Sequence, residues 1–142
     1  MQVDTLKLMI FCCGIGHIIL TLGSLIIPRV LNWKKGLAHL QPLLRQMFWT
    51  YAGYILVINF SFGLVSILGA GDLLNQSFLA KSLTLFIALY WLARIVIQFF
   101  YFDKTDAPKG LFFTIGEIGL ISLFVLFTLV YFAAFLYNSA WI

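Results

Sequence analysis

Arg94 and Glu117 are the residues best placed to do chemistry, because each carries charge inside a long apolar run. A guanidinium at the centre of a membrane helix costs on the order of 2.5–3.5 kcal/mol unless it meets a partner or water. Tyr90, Gln98 and Tyr101 recur around Arg94 at spacings of three and four, so on a helix the cation shares its face with polar groups. His17 and Asn59 add an imidazole and a carboxamide from earlier apolar runs. An arginine and a carboxylate in this setting suit two kinds of work. Arg94 can bind an anionic or carbonyl headgroup, with Glu117 as proton acceptor or polar anchor. Alternatively the two form a neutralised intramembrane ion pair that fixes the register of adjacent helices. The expected ligand-binding set is Arg94, Glu117, His17, Asn59, Tyr90 and Gln98; Glu117, His17 and Arg94 are the candidates for catalysis.

Other chemistries find less support. A haem held by two histidines of one chain would need a second inward histidine, and His39 falls in a loop; a haem shared across a dimer, with one His17 from each chain, is left open. The phenylalanine-rich later runs leave a quinone, carotenoid or acyl-chain groove open as well. No metal site is expected, since one His, one Glu and two adjacent cysteines lack ligand spacing. Cys12 and Cys13 point about 100° apart on a helix and read as small packing residues. There is no nucleophile motif and no phosphate-cradling glycine loop.

The elements that must position these residues follow from composition. Of 142 residues, 63% are apolar and only 10% charged, against about 25% charged in a soluble domain. Too little polar surface remains to solvate a globule, which places the chain in a membrane. The net charge of +4 sits in loops rather than in a stripe with exposed aromatics, so no nucleic-acid partner is expected. Four apolar runs, at about 6–27, 47–68, 78–102 and 111–137, each supply the roughly 20 residues needed to cross the hydrocarbon core. They lack the alternation of a barrel strand, so backbone groups in lipid must satisfy themselves within helices. The expected fold is a single all-α, antiparallel bundle of four transmembrane helices.

Charge asymmetry sets the expected orientation. Arg29, Lys34, Lys35, Arg45, Lys104 and Lys109 fall in the two loops on one side, while Lys7 and Lys81 fall on the other. The positive-inside rule then puts the basic loops in the cytoplasm and both termini outside, in a membrane of the bacterial inner type. Trp33, Trp49 and Tyr101 mark the inner interface, and Tyr137 and Trp141 the outer one. The first loop carries Val30, Trp33, Leu37, Leu40 and Leu44 at helical spacing opposite a basic face, which predicts a short interfacial segment in one or two pieces, interrupted by Gly36 and Pro42, with Pro42 near the start of the second span. Residues 103–110 read as a tight turn joining the last two spans.

The helical rise of about 1.5 Å per residue puts Glu117 roughly 9–10 Å, Arg94 roughly 12–13 Å, and His17 and Asn59 roughly 15–18 Å from the cytoplasmic ends of their spans. Each span thus contributes one polar residue to a common layer. The stripes Gly14–His17–Thr21–Ser24, Ala52–Asn59–Gly63–Ser66–Ala70 and Phe113–Glu117–Ile121–Phe124–Thr128 are expected to converge with the Tyr90–Arg94–Gln98 face. The expected function is binding of a lipid-like or small amphipathic ligand in this polar pocket, with membrane lipids, a second copy or a larger membrane complex as partners. Two further readings stay open. One is a small intramembrane enzyme acting on a lipid or quinone, with Glu117 or His17 as acid/base and Arg94 stabilising charge. The other is an oligomeric proton-coupled transporter titrating at Glu117.

Overall fold

The computed structural model describes residues 3–101 and 110–141. In chain order the helices are α1 (Val3–Ser24), the one-turn α2 (Ile27–Val30) and α3 (Trp33–Gly36), α4 (Pro42–Leu68), α5 (Phe78–Phe100) and α6 (Leu111–Asn138), with a 3-10 turn at Asp72–Leu74 between α4 and α5. Four of these, α1, α4, α5 and α6, are long and apolar enough to cross a membrane. Among the described residues there is no strand. The chain is an all-α four-helix membrane bundle, as its apolar runs predict.

Polar side chains within the spans are mostly satisfied by their own helix. The hydroxyls of Thr21, Ser24, Thr84 and Thr128 each donate to the carbonyl four residues earlier, at 2.7–2.9 Å. α5 opens on Ser77, whose Oγ accepts from the Ala80 amide at 3.1 Å and satisfies one of the orphan donors of a helix start. α6 opens on Gly110 at φ 145°, a conformation that a side chain would strain. α4 begins at Pro42, earlier than the run expected from about residue 47. Proline suits a first helical turn, where its missing N–H is not needed, so the helix takes in Leu43, Leu44 and Arg45 before entering the apolar run.

The interfacial stretch is two separate turns rather than one helix. Asn32, at φ 55° and ψ 50°, breaks α2 from α3. Trp33 then folds back onto the start of α4, edge-on to Phe48 with ring centroids 5.2 Å apart and tilted over Trp49 at 5.9 Å. His39 is exposed, as a loop residue should be. The tight turn expected at 103–110 falls mostly outside the described residues.

α1 packs on α4, α5 on α6, and α1 also meets α6. The α1–α4 crossing is set by two glycines. A Cβ on Gly14 would meet Ile67 Cγ1 at 2.8 Å, Ser66 Cβ at 2.9 Å and the Gly63 carbonyl at 3.0 Å; one on Gly63 would meet the Gly14 carbonyl at 3.1 Å. The two backbones approach as closely as small residues allow, which replaces the absent hydrophobic drive with dispersion contact. Phe127 of α6 fills the space over Gly16 of α1, and Phe62 of α4 reaches Phe86 and Tyr90 of α5 edge-on.

The core is not centred along the bundle axis. Buried side chains lie at Leu6–Thr21 on α1, Asn59–Ser66 on α4, Ala80–Trp91 on α5 and Phe124–Asn138 on α6, with Leu73 and Leu74 capping them. Among the described residues, none in 42–58, 92–100 or 111–123 is buried. The half carrying the termini is closed, and in the half carrying the basic loops the described side chains of α4, α5 and α6 are at most half-buried, which makes it the open half.

Candidate functional site

His17 is the hub of the closed half. Its Nδ1–H donates to the Cys13 carbonyl at 2.7 Å, and its Nε2 accepts from the Trp91 indole N–H at 2.9 Å. The indole is only a donor, so this pair of bonds fixes a neutral imidazole protonated at Nδ1. Four aromatic rings wall it in. Phe127 stacks on it with centroids 3.9 Å apart and planes at 11°, while Phe62, Trp91 and Tyr131 lie 5.4–6.0 Å away. His17 is fully buried and both ring nitrogens are engaged. Serving as an acid, a base or a haem ligand would require the Trp91 bond to break first.

Two further polar contacts close the same half. Ser66 and Tyr131, both buried, share a short hydroxyl–hydroxyl bond across α4 and α6. Nearer the termini, Asn138 clasps the α4–α5 connection. Its Nδ2 donates to the Leu73 carbonyl at 2.7 Å, its Oδ1 accepts from the Gln76 amide at 3.1 Å, and Gln76 Nε2 donates to the Tyr137 carbonyl at 3.3 Å. Among the described residues no buried side-chain nitrogen or oxygen lacks a partner.

The remaining predicted residues sit where the closed half ends. Asn59 is buried on α4 and its Oδ1 accepts from the Tyr90 hydroxyl at 3.2 Å. Tyr90 meets Trp91 edge-on at 5.0 Å, which ties this pair to the histidine hub. One turn further along α5, Arg94 is half-buried; its Nη1 donates to Gln98 Oε1 at 3.0 Å and its Cζ lies 5.2 Å from the Phe124 ring centroid. Phe124 in turn stacks on Trp91 at 4.9 Å and 17°. Glu117 is half-buried on the α6 stripe that also carries Phe113, Ile121 and Phe124.

The predicted layer therefore resolves into two levels. The structure brings Asn59 to Tyr90 and Arg94 to Gln98, and it gives His17 to Trp91 instead of to either. The facing expected for α1 and α4 holds over most of each stripe: Gly14, His17 and Thr21, and Asn59, Gly63, Ser66 and Ala70, are buried, while Ser24 and Ala52 are only half-buried. On α5 the buried face is Ala80, Thr84, Ile87, Ala88 and Trp91, and the Tyr90–Arg94–Gln98 face flanks it. Sequence reasoning missed Trp91, Phe127, Tyr131, Ser66 as a hydroxyl partner, and Asn138. Ala80, Thr84, Ile87, Ala88 and Trp91 recur at three- and four-residue spacing, with small residues beside one large ring, and that pattern was the available signal.

Chemically, the open level offers a guanidinium already oriented by a carboxamide and a ring face, a carboxamide–phenol pair beside it, and a carboxylate on the neighbouring helix. This suits recognition of an anionic or carbonyl headgroup at membrane depth. Among the described residues no group of three or more metal-ligating side chains converges. Compared with family models, curated proteins and solved structures, the chain finds no match.

Proposed function

We propose that this chain is an integral membrane binding protein whose open half takes the headgroup of a lipid-like, amphipathic ligand at Arg94. The observation carrying this reading is the burial asymmetry. The core is sealed around His17, yet one turn away Arg94 is only half-buried, and beyond it no described residue of α4, α5 or α6 toward the basic loops is fully buried. A cation at that depth is held by Gln98 and the Phe124 face, worth about 1 kcal/mol for such a ring contact. An anionic or carbonyl group from a ligand adds a charge-assisted contact to those Arg94 already makes. Glu117 is the polar anchor from α6, Asn59 and Tyr90 line the deep end, and His17 forms the sealed wall behind them.

The basic residues of the two loops on this side orient the open half toward the cytoplasmic leaflet of an inner-type membrane, with both termini outside. The same opening is where an accessory-subunit role in a larger complex, or a second copy of the chain, would bury further apolar surface.

Mass spectrometry of lipids extracted from the chain purified out of its native membrane tests this reading. One amphipathic species carrying an anion or carbonyl should be enriched over bulk lipid, and Arg94→Gln should lose it without changing the melting profile. Bulk lipid composition in the wild-type preparation would overturn the proposal. So would an Arg94→Ala, Glu117→Ala double variant that folds better than either single variant, which marks a self-neutralising structural pair.

A further inference from the structure

At the opposite end of the bundle, a cleft of about 500 Å³ opens between the first turns of α1 and the connection after α4. Its rim carries Asp4, Lys7 and Asp72, and its wall is Leu8, Phe11, Ile67 and Leu68. The Lys7 side chain lies across Gly71, with Cε and Nζ 3.6 and 3.7 Å from where a Cβ would stand there. Asp72 turns its carboxylate back toward Gly69, with Oδ2 3.8 Å from the corresponding point. Leu8 and Leu68 are 63% and 81% exposed, so the wall continues onto the lipid-facing surface. The cleft is charged at its mouth and apolar toward the bilayer, at a depth where headgroups sit.

We infer that this cleft binds an aminophospholipid of the ethanolamine type, with its phosphate on Lys7, its primary ammonium between Asp4 and Asp72, and one acyl chain along Leu8, Phe11 and Leu68. The charge pattern selects among headgroups. Two carboxylates and one ammonium leave the rim net negative, which opposes an anionic glycerol headgroup. A choline headgroup offers no N–H to the carboxylates, whereas ethanolamine offers three. The site stands apart from Arg94 and does not depend on what binds there.

Native mass spectrometry of the full chain with an equimolar mixture of phosphatidylethanolamine, phosphatidylcholine and phosphatidylglycerol tests the assignment. The ethanolamine lipid should be retained about tenfold over choline, the scale of one charge-assisted hydrogen bond. Asp4→Asn with Asp72→Asn should bring the two to parity, and Lys7→Gln should reduce retention of both. Equal retention of choline and ethanolamine by the wild type, preference for the glycerol lipid, or an ethanolamine preference surviving the double carboxamide variant would each overturn it. The wild-type competition needs no variant to fold.

Discussion

The two halves of this bundle are built from the same apolar alphabet and behave differently. In the half carrying the termini, one histidine, one indole and a set of phenyl rings lock together, and among the described residues each buried side-chain nitrogen and oxygen has its partner. In the half carrying the basic loops, α4, α5 and α6 continue as good helices, but their described side chains are at most half-buried. Between them lies a single turn of α5, from Trp91 to Arg94. Hydrophobicity alone does not separate the halves, because lipid is as apolar as leucine. Shape and polar pairing do, through glycines that admit backbones and donors that find acceptors.

The comparison is broken or sharpened by substitution, and the largest effect should come from its hub. Trp91→Ala removes the donor to His17 and the surface against Phe124 and Phe127, at an expected cost of about 3–5 kcal/mol in a reversible detergent-unfolding titration. A cost below that of an exposed leucine would show that the closed half is not what holds the bundle. Gly14→Ala should cost about 2–3 kcal/mol in the same titration, since its methyl runs into the α4 backbone, while Gly53→Ala and Gly116→Ala, which face open space, should be neutral. Asn138→Ala strands the Leu73 carbonyl and the Gln76 amide, for about 1–2 kcal/mol. It should also speed hydrogen exchange at Gln76 specifically. Tyr131→Phe should cost about 0.6–1.7 kcal/mol, with the loss absent in a Ser66→Ala background. At the small end, Leu92→Ala in the open half, where the side chain is 45% exposed, should stay within about 0.5 kcal/mol. A larger loss there would mean that the open half is packed after all.

The sequence shows the architecture well and the site in part. Long, predominantly apolar runs bounded by Pro28, Gly69 and Gly110 fix four helices, because lipid gives an unpaired backbone no alternative. α4 starts at Pro42, as the proline suggests, although Arg45 delays its apolar run to about residue 47, because a charge ends an apolar count but not a helix. The stripes on α1 and α4 are legible because small residues mark close approach. On α5 the polar face of Tyr90, Arg94 and Gln98 is half-buried and pairs Arg94 with Gln98, but the tight packing is set by Ala80, Thr84, Ile87, Ala88 and Trp91 beside it. His17's partner was illegible for a different reason. An indole is as apolar as its neighbours in any count, and only three-dimensional register turns its single N–H toward an imidazole. The clasp by Asn138 likewise joins positions 65 apart, and nothing local announces it.

The His17 cage also has a consequence in time. The histidine comes from α1 and its surrounding rings from α4, α5 and α6, and Ser66 waits for a tyrosine 65 residues further on. At ribosomal speeds, Phe127 emerges on the order of ten seconds after His17. During that interval the first hairpin lies in the membrane with its imidazole unstacked and its serine unmatched to Tyr131. Closure of the His17 cage therefore waits on α6, which supplies Phe127 and Tyr131.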